Sequence, residues 1–205
     1  MAFWKSLYRK MKYGEPIVVV SGLPRSGTSM MMSMLDAGGM EILTDHVREA
    51  DEDNPKGYYE FEPIKNLVRD KEQSWLEDAR GKGVKVISDL LKELSSDYFF
   101  KVIFMDRNLE EVIASQNKML IRRGEPPQPG DDEKMMRLFE KHLDQAKRWI
   151  QQQPNCEVIF VDYERALQQT LHQAQQIQAF VHQPLDAGKM VGVVDPQLHR
   201  NRKVG

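Results

Sequence analysis

Two glycines with four residues between them, Gly22 and Gly27, enclose Leu23-Pro24-Arg25-Ser26 and are followed by Thr28 and Ser29. Glycine lets a backbone wrap closely enough for successive N–H groups to point at one anion, and a helix starting there adds partial positive charge. The spacing is that of a phosphate-binding loop, Gly-x-x-x-x-Gly. Thr28-Ser29, however, stands where Lys-[Ser/Thr] would neutralise the outer phosphates of a nucleoside triphosphate. The strong cation of this loop is instead Arg25, beside the hydroxyls of Ser26, Thr28 and Ser29. The chemistry indicated is the binding of a nucleotide that serves a group transfer.

Further candidates lie downstream. Arg107 closes the run Val102-Ile103-Phe104-Met105-Asp106, and Ser115 follows eight residues later. Eight residues cover little more than two helical turns, so an arginine at a strand end and a serine in the next helix can face one ligand. Lys85 lies between Val84 and Val86, a charge in an apolar strand that needs an explanation. Tyr163 lies in Val161-Asp162-Tyr163-Glu164, and Arg200, Arg202 and Lys203 make the C-terminal stretch basic.

The elements that must position these residues follow from pattern. Ile17-Val18-Val19-Val20 is a continuous β-branched run, as expected of a strand covered on both faces. Residues 84–88, 99–105 and 157–161 read as three further short strands. Helices are expected over 28–37, ended by Gly38-Gly39, and over about 62–78, 108–122, 132–152 and 163–182. Residues 3–13 place Phe3, Trp4, Leu7, Tyr8 and Met11 at helical spacing among basic residues. Alternating strands and helices predict a three-layer α/β fold, a parallel sheet with helices on both faces, of the P-loop NTPase-like kind. The expected organisation is one domain over 1–205, with an amphipathic segment 1–14, a core 15–185 and a basic tail 186–205.

Composition bounds the function. A chain of 205 residues with 40% hydrophobic and 29% charged residues suits one sizeable core. A net charge of −2 argues against a general nucleic-acid binder, which needs a positive field for the phosphate backbone. Charge is uneven locally: residues 1–14 hold Lys5, Arg9, Lys10 and Lys12 with no acid. Cys156 is the single cysteine, which excludes an intramolecular disulfide and fits a reducing compartment. No run reaches the roughly 18 apolar residues that cross a bilayer. A cytoplasmic protein is expected, with membrane or protein contact through residues 3–13 as a further option.

Pro24-Arg25-Ser26-Gly27-Thr28-Ser29 resembles the 5′-phosphosulfate loop of the sulfotransferase family, with arginine in the variable position as in its tyrosylprotein and related bacterial branches. Arg107 and Ser115 match the pair that in this family holds the 3′-phosphate of the donor 3′-phosphoadenosine-5′-phosphosulfate (PAPS). The Tyr163-Glu164 segment is similar to one near the adenine. The resemblance spans most of residues 17–182.

It implies PAPS as co-substrate, no metal, and in-line displacement at sulfur, with Arg25 and Lys85 as catalytic cations and Lys85 on the bridging oxygen. Pro24, Arg25, Ser26, Gly27, Thr28, Ser29, Arg107, Ser115, Tyr163 and Arg202 would contact the donor. The family's small-molecule branch carries a histidine just after the second strand, where this chain has Ser88-Asp89. The tyrosylprotein branch uses a carboxylate beyond the loop arginine; twenty residues beyond Arg25 lies Asp45, followed by His46, and either is the base that the resemblance implies. Two other readings stay open. One is a P-loop phosphotransferase using Asp106 or Asp162 for Mg²⁺, and the other is a nucleotide-binding interaction protein without catalysis.

Overall fold

The computed structural model describes residues 2–45, 57–70, 72–128 and 130–195. Strand β1 (Ile17–Gly22) is buried at every position, which is why its sequence is a continuous apolar run rather than an alternation. It lies between β2 (Gly83–Lys85) and β3 (Phe100–Asp106), and β4 (Cys156–Asp162) completes a sheet of order β2-β1-β3-β4. Every pairing is parallel.

Register brings the chemistry together. Gly22 pairs with Met105 and Val20 with Lys85, so the loop after β1, the turn after β3 and Lys85 emerge at one carboxyl edge. The strand order reverses between β1 and β3, the crevice where α/β sheets bind ligands.

Helices cover both faces. On one face Val18, Val20, Ile103 and Met105 pack with the methionines of α2 (Thr28–Ala37) and with Ala174, Ile177 and Met190. On the other, Val19, Val84, Val102 and Phe104 pack with Ile64, Trp75, Leu143 and Ile150. The fold is the expected three-layer α/β sandwich with a P-loop-like first turn, and the methionine stripe of α2 is core.

Several elements differ from their sequence patterns. Residues 62–78 form three single turns, α3 (Glu62–Lys65), α4 (Leu67–Asp70) and α5 (Trp75–Asp78), rather than one helix. Strand β2 stops at Lys85, and Ser88 opens a 3-10 turn through Glu93. Helix α6 (Leu109–Arg122) is capped by Asn108, whose side-chain oxygen accepts from the Glu110 and Glu111 amides. Helix α7 (Asp131–Gln152) follows, with three acids in its first turn. The expected helix 163–182 is interrupted at Gln169 into α8 (Tyr163–Gln168) and α9 (Thr170–Val181). Within the stretch read as a tail, Ala187–Gly192 forms α10, packed on α2 and α9 with Met190 fully buried. Ahead of β1 lies α1 (Ala2–Tyr13).

Candidate active site

The loop after β1 depends on two left-handed glycines. A Cβ on Gly22 would sit 2.6 Å from both the Met105 carbonyl and Ser26 Oγ, and one on Gly27 would sit 2.4 Å from the Tyr163 ring. Arg25 also holds a positive φ of 71°, an uncommon conformation for a residue with a side chain. Strained positions of this kind persist where the surroundings hold them, and Arg25 is held at both ends. Its Nε donates to Ser115 Oγ at 2.9 Å, and its carbonyl accepts from Arg107 Nη1 at 3.0 Å. Ser26 turns its hydroxyl inward onto the Leu23 carbonyl at 2.7 Å. Pro24 is exposed, Thr28 is buried and Ser29 is partly covered.

The structure therefore joins residues that the sequence separates by 90 positions. Arg107 also donates from Nε to Glu111 Oε2 at 3.0 Å, and its guanidinium lies 4.3 Å from the Tyr163 ring centroid. Tyr163 is only 6% exposed, between Gly27 and Arg107, so its ring acts as a wedge behind the loop. Lys85 donates to the Tyr58 carbonyl and lies 3.5 Å from Ser29 Oγ.

These groups line one cavity of about 840 Å³. Among the described residues its wall carries seven Lys and Arg side chains, namely Arg25, Lys65, Lys85, Arg107, Lys118, Arg122 and Arg123, against the carboxylates of Glu60 and Asp89. A cavity with that excess of cations in a chain of net charge −2 focuses positive potential and suits a polyanion. An apolar stretch of the wall is made by Phe61, Ile64, Leu90, Met119, Leu138 and Phe139.

Asp45 is not among the lining residues. Its carboxylate accepts from the Glu62 amide at 2.5 Å and so caps α3 from a distance, while its own amide donates to Glu60. His46 and Arg202, with Arg200 and Lys203, lie outside the described residues. The wall holds a histidine that sequence reasoning did not single out. His142, on α7, has Nδ1 at 3.0 Å from Asp89 Oδ1 and Nε2 at 2.8 Å from Ser88 Oγ. With the Asp89 carboxylate accepting from Nδ1–H, Nε2 becomes the basic nitrogen, the tautomer that a proton acceptor needs. Ser88-Asp89 thus holds a histidine at the end of β2 although the histidine belongs to another element.

The carboxylates considered for Mg²⁺ are engaged otherwise. Asp106 pairs with Lys147 at 2.5 Å, and Asp162 caps α8 by accepting from the Arg165 amide at 2.8 Å.

A family pattern described as "Sulfotransferase domain" matches residues 15–201. No curated protein matches the sequence. Among solved structures, the chain is similar to mouse sulfotransferase SULT7A1 complexed with PAP, at 16% identity and a TM-score of 0.49. The match covers 87% of this chain and 62% of that one, so the chain spans less than two thirds of that protein's length.

Proposed function

The chain belongs to the sulfotransferase family, and from that premise we propose that it transfers a sulfonate group from PAPS to a hydroxyl or amine acceptor. The observation that carries this reading is the junction of Arg25, Ser115 and Arg107 on the wall of a cationic cavity. The loop amides, Thr28 and Ser29 would hold the 5′-phosphosulfate, and Arg107 with Ser115 the 3′-phosphate. In the transfer step the acceptor oxygen or nitrogen attacks sulfur in line. The bond from sulfur to the 5′-phosphate oxygen breaks, and that oxygen keeps the electron pair. Arg25 and Lys85 offset the charge gathering there, while the acceptor proton passes to a base. The residues toward this donor need no metal ion, because the phosphate is already a good leaving group.

Three groups compete for the base: Asp45, His46 and His142. Geometry favours His142, which lines the cavity and has a carboxylate on Nδ1, whereas the Asp45 carboxylate is engaged in capping α3. His142→Gln should lower kcat, a loss of roughly 10²–10⁴-fold at neutral pH. Activity unchanged in His142→Gln but lost in Asp45→Asn or His46→Gln would return the role to Asp45 or His46.

Arg107→Ala should selectively weaken binding of 3′-phosphorylated nucleotides. By calorimetry, 3′-phosphoadenosine-5′-phosphate (PAP) should lose affinity at least tenfold while ADP changes little. Equal behaviour of both nucleotides in parent and variant would remove Arg107 from the 3′-phosphate site.

The apolar part of the wall supports an acceptor with apolar bulk around its nucleophile. Transfer of labelled sulfonate from PAPS to a panel of phenols, alcohols, sugars and tyrosyl peptides tests the enzyme reading. Binding of PAP without transfer to any of them would favour the interaction protein instead. The cytoplasm is the proposed compartment, supported by the single cysteine. Burial pushes the Cys156 thiol up to about 12, so it stays protonated and takes no part in the chemistry.

A further inference from the structure

Helix α1 is docked the opposite way round from an ordinary surface helix. Polar side chains dock it: Ser6 is 8% exposed, and Arg9 donates from Nε to the Pro154 carbonyl at 2.7 Å and pairs with Glu157 at 3.2 Å. The C-terminal end is held by Arg80, which donates to the Tyr13 carbonyl at 2.7 Å. Its apolar side faces solvent. Trp4 is 71% exposed, Tyr8 64%, Met11 80% and Leu7 38%. At 100° per residue these four fall within about 100° of arc, a single ridge along the helix. Four of the nine large hydrophobics that are exposed among the described residues lie on this helix.

Charge flanks the ridge. Lys5 and Lys12 project on one side of it and Lys10 on the other, and the segment contains no acid. Lys10 is paired with Glu15, and Arg9 is used in docking. Lys5 and Lys12 make no ion pair among the described residues; Lys12 sits over the Tyr13 ring at 4.8 Å. A tryptophan, a tyrosine and two aliphatic side chains with lysines at their rim match a lipid interface, where aromatic rings sit at headgroup level and lysines meet anionic headgroups. A protein partner fits less well. A helix of 12 residues is about 18 Å long and roughly 10 Å wide, so this face offers near 180 Å² against the ~800 Å² per partner of a stable interface.

We propose that α1 is a peripheral membrane anchor that lays Trp4, Leu7, Tyr8 and Met11 into the surface of an anionic bilayer, with Lys5 and Lys12 on the headgroups. Its contacts at Pro154 and Glu157 lie at the start of β4, whereas the cavity opens at the carboxyl edge of the sheet. The anchor therefore sits at the other end of the strands and leaves the nucleotide mouth open to solvent. The inference stands on α1 alone and does not depend on which nucleotide the cavity takes.

The test is sedimentation of the full chain with vesicles of phosphatidylcholine alone or with about one third phosphatidylserine. Binding is expected to the anionic vesicles, to weaken as salt shortens the Debye length, and to shift Trp4 fluorescence to the blue. Lys5→Glu with Lys12→Glu, and separately Trp4→Ser with Met11→Ser, should each reduce bound protein at least tenfold. Because these side chains are exposed, nucleotide affinity and melting temperature should be unchanged, which separates lost anchoring from lost folding. Equal binding to both vesicle types, no binding to either, or a concentration-dependent dimer that Met11→Glu dissociates would each overturn the proposal.

Discussion

Gly27→Ala should abolish nucleotide binding, lowering PAP affinity by more than a hundredfold in calorimetric titration. Two effects combine at this position. The backbone φ of 98° is one that residues with a Cβ rarely adopt, and the added methyl would lie 2.4 Å from Tyr163 Cδ2 and 2.8 Å from Cε2. The ring cannot easily retreat, because it is buried and carries the Arg107 guanidinium on its face. Relief requires the loop to move, and with it the amides proposed to cradle the phosphosulfate. Gly39→Ala is the internal control. Gly39 has nearly the same φ, 99°, but open space within 4 Å of its would-be Cβ. That variant should lose stability through backbone strain and keep nucleotide affinity. If Gly27→Ala binds PAP as well as Gly39→Ala does, Tyr163 is not the wedge that shapes the loop.

Lys85→Met is the second large expectation, and its effect falls on the rate rather than on binding. The ammonium lies at the end of β2, donating to the Tyr58 carbonyl and 3.5 Å from Ser29 Oγ, so it is fixed before any substrate arrives. In the proposed transfer, a preorganised donor of this kind would act on charge that develops only as the sulfur–oxygen bond breaks. Its removal should lower kcat by about 10²–10³-fold, the range seen for single oxyanion donors. Methionine keeps the chain length and apolar stem, so PAP affinity should fall by only a few-fold. Losses of equal size in PAP affinity and in kcat/KM, with kcat preserved, would mean that Lys85 serves ground-state binding alone.

What was legible in the sequence was what is local. Strand β1, its glycine loop and α2 form one contiguous unit, and the pattern changes from β-branched run to glycines to methionine stripe within twenty residues. The unit of β3, Arg107 and α6 is likewise local, and parallel register then forces the two units together at one edge. The Arg107–Glu111 ion pair could have been found too, since four residues on a helix put both side chains on one face. His142 could not. Its partners Ser88 and Asp89 lie more than fifty residues away, and nothing in α7 states which face of it meets the turn after β2. The outward apolar ridge of α1 was half legible. Periodicity gave the amphipathic helix, but only the Arg9 and Arg80 contacts reveal which side is turned to the protein.

The cavity is proposed to bind a 3′,5′-bisphosphorylated nucleotide for sulfonate transfer, and not a nucleoside triphosphate for phosphoryl transfer. Calorimetric titration of the full chain with PAP, ADP and ATP, each with and without Mg²⁺, tests it most directly. PAP should bind tightest, at least tenfold better than ADP, with no dependence on Mg²⁺. Preference for Mg·ATP over PAP would instead make the cavity a site for phosphoryl transfer.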